Sequence, residues 1–511
     1  MARVVSPYYY NEYIDVIDAA ASGTFRFFGQ TVDFGSPRAI DWHHQVEAES
    51  DFHLWRMKLG HMGFICPMLM SGTATHLEAV AQLIASYREQ ADFGVSGCFS
   101  SYWFPYSVSH RILAVLCGYL LARQTRDLPE SLCDQIEAFL RWNIGFVLAN
   151  VEHELKNNHV ERNLAALCLY FNCVETVPAR LARRLDRDVR DIIKASVLDD
   201  GLLAERSAMY QGLTVMALHI FAETEFLTTA TRQLASERYQ QAVRAWRFMT
   251  HPDGEIALFN DSWFGEVPPP STIAAKQDFG PLERLPTAGY ARLEAGAFFA
   301  LFDAGPIGPR WNPGHGHADF LAIELDVVGK RFIVDPGTYQ YSTGPRRRFE
   351  RSADSHNGPA LEGREPVEYK GCFRVGRMAS AQLTGHTMEE TGGRVSGALQ
   401  LPGVRFQREL QLSTRGLRCT DDWIGATNGA KVRLIVPGTW SVTSWNPIQA
   451  SFKSDETRVH ITVHEGSLVG VEPGCWSRHY LQNEDAMVLI LKPRQTDERS
   501  AQLIWAVDQA T

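Results

Sequence analysis

The chain has 511 residues, 45% of them hydrophobic and 11% aromatic, with a formal net charge of −9. This length exceeds one ordinary core and predicts two or three domains, and the apolar content excludes a disordered chain. The negative balance excludes a global attraction to nucleic acid or an anionic membrane, so an anionic ligand must be met by a local basic patch.

At the start, Met1 to Ser6 runs into Tyr8-Tyr9-Tyr10-Asn11-Glu12 without the apolar core of a secretory signal. A cytoplasmic location is therefore expected, or a periplasmic one if the true start lies elsewhere. The longest apolar stretch, Ile112 to Ala122, contains Gly118 and is too short to span a bilayer, so it reads as a buried helix. None of the nine cysteines forms a Cys-x-x-Cys pair, and Cys66, Cys117, Cys133 and Cys168 lie in apolar helical surroundings, which predicts free buried thiols.

Apolar residues at three- and four-residue intervals predict helices over 76–90, 107–123, 132–150, 161–173, 179–195, 207–225 and 229–248. Paired helices without a sharp repeat fit an incomplete α/α toroid. Helical periodicity stops at His251-Pro252-Asp253-Gly254 and the Pro268-Pro269-Pro270 loop. Short alternating segments follow, over 297–303, 320–328, 373–381, 403–413, 432–436, 458–464 and 486–491, and predict a two-sheet β-sandwich. The expected fold is multidomain α+β: a helical toroid over 1–250, a connector over 251–289 and an antiparallel β-sandwich over 290–511.

Within the β half stand Pro313-Gly314-His315-Gly316-His317-Ala318-Asp319, then Val334-Asp335-Pro336-Gly337-Thr338-Tyr339, then Ser355-His356-Asn357. The alternation after Asp319 and the turn at Gly329-Lys330 predict a hairpin that returns Asp335 level with His317. Read as extended chain, His315 and His317 share a face. Neutral imidazoles and a carboxylate suit a cation such as zinc. The same residues also suit a buried hydrogen-bond network that pins the hairpin without metal. Arg346-Arg347-Arg348-Phe349-Glu350-Arg351 is the candidate basic patch, or a solvated charged loop.

These three blocks resemble the signature of the heparinase II/III-like family of polysaccharide lyases. Further blocks match in the family's order: Ile40-Asp41-Trp42-His43-His44, Trp55 to His61, Tyr102-Trp103-Phe104-Pro105-Tyr106 with Ser109 and Arg111, Asn157-Asn158-His159 with Asn163, Glu205-Arg206-Ser207-Ala208-Met209-Tyr210, and Asp253 to Asp261. The variant with Glu-Arg-Ser before the tyrosine is similar to members associated with exopolysaccharide and capsule genes. The resemblance implies a toroid followed by a β-sandwich, and β-elimination at a uronic acid in an acidic polysaccharide or oligosaccharide. It implies that Asn158 neutralises the substrate carboxylate, that Tyr210 is catalytic acid and base, and that His159 and His315 assist. Trp42, Glu205, Arg206, Tyr341, Arg346 and Arg351 are the expected substrate contacts. His317, Asp335 and His356 are expected to hold one structural zinc ion. Two departures stand out: Gln211 replaces the histidine that follows the tyrosine in many relatives, and Phe349 stands where a second hydroxyl is common, leaving Tyr339 or Tyr341 to substitute.

The chemistry explains the residue set. The C5 proton of a uronate is acidic enough to remove only when its carboxylate is neutralised, and departing O4 needs a proton. A tyrosine serves both ends once nearby positive charge lowers its pKa, a role open to Arg206, His159 or His315. Each residue also has a plainer reading: Asn158 and His159 as a helix cap, Tyr210 as a core aromatic, Glu205 and Arg206 as a surface pair. The competing functions are a uronate C5-epimerase, a non-catalytic glycan-binding protein of polysaccharide assembly, and a zinc hydrolase with Glu205 or Asp319 as base.

Overall fold

The structure is a computed structural model, which describes residues 1–174 and 176–510. Contacts divide it into two compact units, one of Met1–Val197, Gly212–Val243 and Gly265–Ile273, the other of Leu198–Gln211, Arg244–Phe264 and Ala274–Thr511.

The first unit is helical. Its innermost helix, Pro105–Thr125, opens with proline at the first turn and is buried almost all round. Gly118 lets it cross the helix Ile65–Ser71 closely, since a Cβ there would lie 2.7 Å from the Cα of Cys66. Glu130–Ala149 and Asn158–Phe171 pack against this innermost helix, with Ala74–Gln90 against the first of these and Ala179–Ser196 against the second. The last is strongly two-faced, burying Leu185, Val189, Ile192 and Ile193 and leaving its arginines at the surface. The N-terminal segment also forms helices and a small hairpin, Thr24–Phe27 with Gln30–Asp33. Among the described residues no helix is long and apolar enough to cross a membrane. All nine cysteines are free, with Cys66, Cys117, Cys168 and Cys419 buried and Cys133 only partly so.

The second unit holds three larger antiparallel sheets where the sequence predicts two. Five strands, Leu282–Leu285, Tyr290–Ala295, Phe298–Asp303, Ile323–Val327 and Lys330–Ile333, form the sheet that carries the predicted hairpin. Another has nine strands, beginning at Ala381–Glu389, and a third has four, including Ala430–Pro437 and Gln482–Lys492. One hydrophobic core joins them, with Phe302, Leu325, Phe406, Trp423 and Trp505 in its interior. Gly397 permits a close approach, because a Cβ there would meet Ala304 at 2.7 Å and Leu321 at 2.8 Å. The predicted strand over 373–381 is cut short: Gly371 and Gly376 flank a two-residue pairing, Arg374–Val375 with Tyr369–Lys370. The hairpin turn falls on Val328-Gly329, both at positive φ (53° and 70°), which suits the tight connection of twisted strands.

A buried charge cluster ties the five-stranded sheet to the segment Arg244–Phe264 within this unit. His251 Nδ1 lies 2.8 Å from Asp326 and Nε2 lies 2.6 Å from Glu324, while Phe299 packs on the ring and Arg331 joins Glu324 to Asp253. Burial and Arg331 push the pKa of His251 down, but the two carboxylates outweigh them and its net shift is upward. A native pKa above the unfolded value stabilises the fold below about pH 6.5, and that contribution is lost as pH rises through the native value. The melting temperature of the parent should therefore exceed that of His251→Gln most in mildly acidic buffer, with the gap shrinking in alkaline buffer. A gap that widens with pH would contradict this assignment.

Candidate active site

The candidate site in the second unit is organised by the turn Asn260-Asp261. Asn260 adopts the left-handed conformation (φ 59°), which asparagine tolerates better than most side chains. Its backbone N–H donates to Asp319 at 2.9 Å, its Oδ1 accepts from the backbone N–H of His317 at 3.0 Å, and its Nδ2 donates to the hydroxyl of Tyr290 at 3.1 Å. The turn is thereby fixed against the loop that carries both histidines.

Asp261 is completely buried and is the hub. Its Oδ2 lies 2.9 Å from His315 Nδ1, its Oδ1 lies 2.9 Å from His317 Nε2, and Arg347 donates to both oxygens at 2.5 and 2.7 Å. Burial alone would raise its pKa, yet Arg347 and the two imidazoles hold it well below the usual carboxylate range. His315 and His317 do not share the face of a strand as expected. They lie in the loop between Phe298–Asp303 and Ile323–Val327, and Asp261 is what brings them together.

Tyr210 stands beside this hub. Its ring packs on His315 with centroids 4.4 Å apart, and its hydroxyl is 3.0 Å from that of Tyr341. Ser207 caps its backbone N–H at 3.2 Å and bonds to the carbonyl of Asp261 at 2.7 Å. Glu205 approaches His315 Nε2 at 3.6 Å, so the imidazole lies between two carboxylates. Burial and the charge of Asp261 raise the pKa of Tyr341 well above that of a free phenol, although Arg347 lies 4.9 Å from its ring centre and opposes the shift. Gln211 is spent on structure: it accepts from the N–H of Leu203 at 2.6 Å and donates to the carbonyl of Gly201 at 2.9 Å.

Several expected contacts are placed otherwise. Arg206 is buried at positive φ (62°) and donates to the carbonyls of Ala288 and Thr287, which removes it as the cation beside Tyr210. The arginine run is a helix, Pro345–Arg351, and its turns send Arg347 and Arg351 inward. Arg351 donates to the carbonyls of Gly316 and Cys372, and Arg346 pairs with Glu350, Ser477 and Asn483, so only Arg348 is exposed and the basic patch is not formed. Trp42 belongs to the core of the first unit, with Nε1 on Ser86 and its ring edge-on to Tyr87. The sequence does not mark Asp261 as a site residue, and it presents Arg347 as one cation of a surface patch, not as the buried partner of Asp261. The one signal for Asp261 is its place at the end of a matched block.

In the first unit Asn157, not Asn158, caps the helix Asn158–Phe171, accepting from the N–H of His159 at 3.1 Å. Asn158 is fully buried. His159 Nδ1 pairs with Glu152 at 3.0 Å and its ring stacks on Tyr106 at 4.4 Å, while Asn163 braces Glu152 from below at 3.3 Å.

For the expected metal site, His317 and His356 have ring centres 5.3 Å apart, and each has a buried nitrogen, Nδ1 and Nε2 respectively, that no described group bonds. Burial first, then Arg347 and His356, drive the pKa of His317 down to about 3 against the pull of Asp261, leaving the neutral imidazole a metal requires. Asp335 is engaged with His356 Nδ1 at 2.7 Å. As they stand, no three His, Cys, Asp or Glu side chains among the described residues are grouped to hold a metal ion. The two open nitrogens fit a metal, and the carboxylate is turned to its neighbour.

Residues 279–506 match the family described as heparinase II/III-like, C-terminal. The chain carries a heparinase II/III-like C-terminal domain. Likeness of fold, toroid plus β-sandwich, extends over nearly the whole chain. The structure of heparinase III aligns at a TM-score of 0.70 and 15% identity, covering 94% of this chain and 80% of that one. A heparan sulfate lyase HepC mutant from Pedobacter heparinus aligns at 0.65 and 14%, covering 97% and 82%. A chondroitinase AC lyase aligns at 0.51 and 11%, covering 99% and 82%. At such identities the likeness establishes the fold. Comparison with curated proteins gives no match.

The hub makes a direct prediction about the second unit. Asp261→Asn leaves Arg347 charged, buried and without its counter-ion, so unfolding free energy should fall by about 3–5 kcal/mol. Denaturant titration of parent and variant measures this, and a loss below about 1 kcal/mol would show that the hub is not structural.

Proposed function

We propose that this protein is a polysaccharide lyase that cleaves an acidic, uronate-containing polysaccharide or oligosaccharide by β-elimination. The observation that carries the reading is the Tyr210 hydroxyl, set against the His315 ring and hydrogen-bonded to Tyr341, in a chain with the heparinase fold. Proteins of like fold include a heparan sulfate lyase, heparinase III and a chondroitinase AC lyase, which suggests the class of polymer to test.

In this reading the proton on C5 passes to a base, the electron pair forms the C4–C5 double bond, the C4–O4 bond breaks, and O4 takes a proton. Tyr210 supplies the proton to O4 and, as phenolate, first removes the one on C5. Tyr341 is the adjoining hydroxyl through which Tyr210 exchanges protons, standing where Phe349 lacks one. His315, oriented by Asp261 and flanked by Glu205, steadies the charge that moves through the tyrosine pair. Asn158 and His159 belong to the other unit; their roles, neutralising the uronate carboxylate and assisting proton transfer, are proposed from the family resemblance alone.

Zinc is proposed as a structural partner, held by His317, Asp335 and His356 after Asp335 exchanges its bond to His356 for one to the metal. Bound there, it would fix the loop that presents His315 and take no part in the elimination. Elemental analysis of purified protein should find one zinc per chain, and chelation should lower the melting temperature. Metal-free protein whose His317→Ala variant is as stable as the parent would leave these residues as a hydrogen-bond network.

The reaction is tested by ultraviolet absorbance of the unsaturated product from a panel of uronate polymers. Tyr210→Phe keeps the ring and should lower turnover about 10²–10⁴-fold with binding retained. Near-parental turnover in that variant would reassign the proton transfers. Exchange of deuterium at C5 without absorbance would identify an epimerase instead.

A further inference from the structure

The loop between the helices Ala74–Gln90 and Pro105–Thr125 is unusual in what it exposes. Phe93 is 58% exposed, Val95 42% and Phe99 56%, a concentration of large apolar side chains that ordinary loops avoid. The two phenylalanines are not equivalent. Phe93 lays one face on Trp103 (centroids 4.3 Å apart, 14° between planes), and Trp103 is itself packed on Trp142 and Phe146, so Phe93 is anchored to the core. Phe99 has one ring neighbour among the described residues, the edge of Phe104 at 5.8 Å. Phe104 in turn stands edge-on to His159 at 5.6 Å, and Tyr106 stacks on the same imidazole. A row of rings thus runs from the exposed Phe99 to His159, entirely within the first unit.

The charge pattern narrows what such a row would hold. From 92 to 104 the only ionisable acid or base besides Cys98 and Tyr102 is Asp92, with no lysine or arginine. A sulfate or carboxylate finds no cationic side chain in that segment. A pyranose ring has a partner in these rings, because its axial C–H groups form an apolar face that covers an aromatic ring while its charged substituents stay at the rim.

We propose that Phe99 and Phe104 form a stacking subsite for the sugar that adjoins the uronate handled at Asn158 and His159. The proposal rests on the lyase reading and adds to it a residue that sets binding of the polymer without touching the reacting atoms. Phe99 holds chain length, not charge: its contribution is to substrate spanning more than the cleaved linkage, and salt does not weaken it.

Steady-state kinetics and calorimetric binding of heparan sulfate, chondroitin sulfate and polyglucuronate to the full chain test this, with Phe99→Ala, Phe99→Trp and, as control, exposed Trp445→Ala. Phe99→Ala should raise KM and Kd about 3–10-fold at both low and high salt, with kcat unchanged within about twofold. Phe99→Trp should restore both constants, and Trp445→Ala should leave them at the parental value. Product formation with a parental KM for Phe99→Ala overturns the subsite and leaves the lyase standing. Binding lost in Phe99→Ala and regained in Phe99→Trp, without any unsaturated product, upholds the subsite and overturns the lyase. No binding and no product across the panel overturns both, and marks the loop as a surface for some other partner.

Discussion

The second unit depends on one buried carboxylate. Asp261 neutralises a guanidinium that would otherwise stand uncompensated in a low-dielectric interior, and the same two oxygens orient two imidazoles. A buried ion pair contributes little stability in net terms, because desolvation offsets attraction. What it contributes here is placement: three side chains distant in sequence acquire fixed directions from one acceptor.

Around that acceptor the chemistry is graded by burial and charge. His317 is driven neutral, Asp261 is held ionised, and the phenol of Tyr341 is held protonated. Burial is the main cause for His317 and Tyr341, whereas Asp261 is held ionised against its burial by Arg347 and the two imidazoles. All three groups are buried, so this pattern of charge is set inside the second unit and not by the chain's net charge of −9.

Much of the fold is legible in the residues. The helix predicted over 229–248 is the helix Thr229–Phe248, and the toroid-plus-sandwich order follows from the change in periodicity near His251. Of the resembling blocks, those from Pro313 to Asn357 fall within the matched family domain, residues 279–506, and those of the helical half lie outside it. What fails is informative. The arginine run reads as a charged loop because its composition dominates; Gly344-Pro345 is a helix-start signal that would have placed Arg347 and Arg351 one turn apart on the inner face. Trp42 sits in a matched block, but motif membership does not distinguish a core aromatic from a ligand-facing one. Asp261 is invisible as a hub because its partners lie 54, 56 and 86 residues away, and no periodicity encodes such convergence.

The sharing of Asp261 also restricts how the chain can change. His315 and His317 are bound to opposite oxygens of one immobile carboxylate, so neither imidazole can be reoriented without disturbing the other. A substitution that retunes the group beside Tyr210 is felt at the loop anchor, and one that alters the anchor is felt beside Tyr210. Routes to a new specificity through this loop are therefore paired substitutions, while the aromatic loop in the first unit, whose exposed rings share no such partner, can vary one residue at a time.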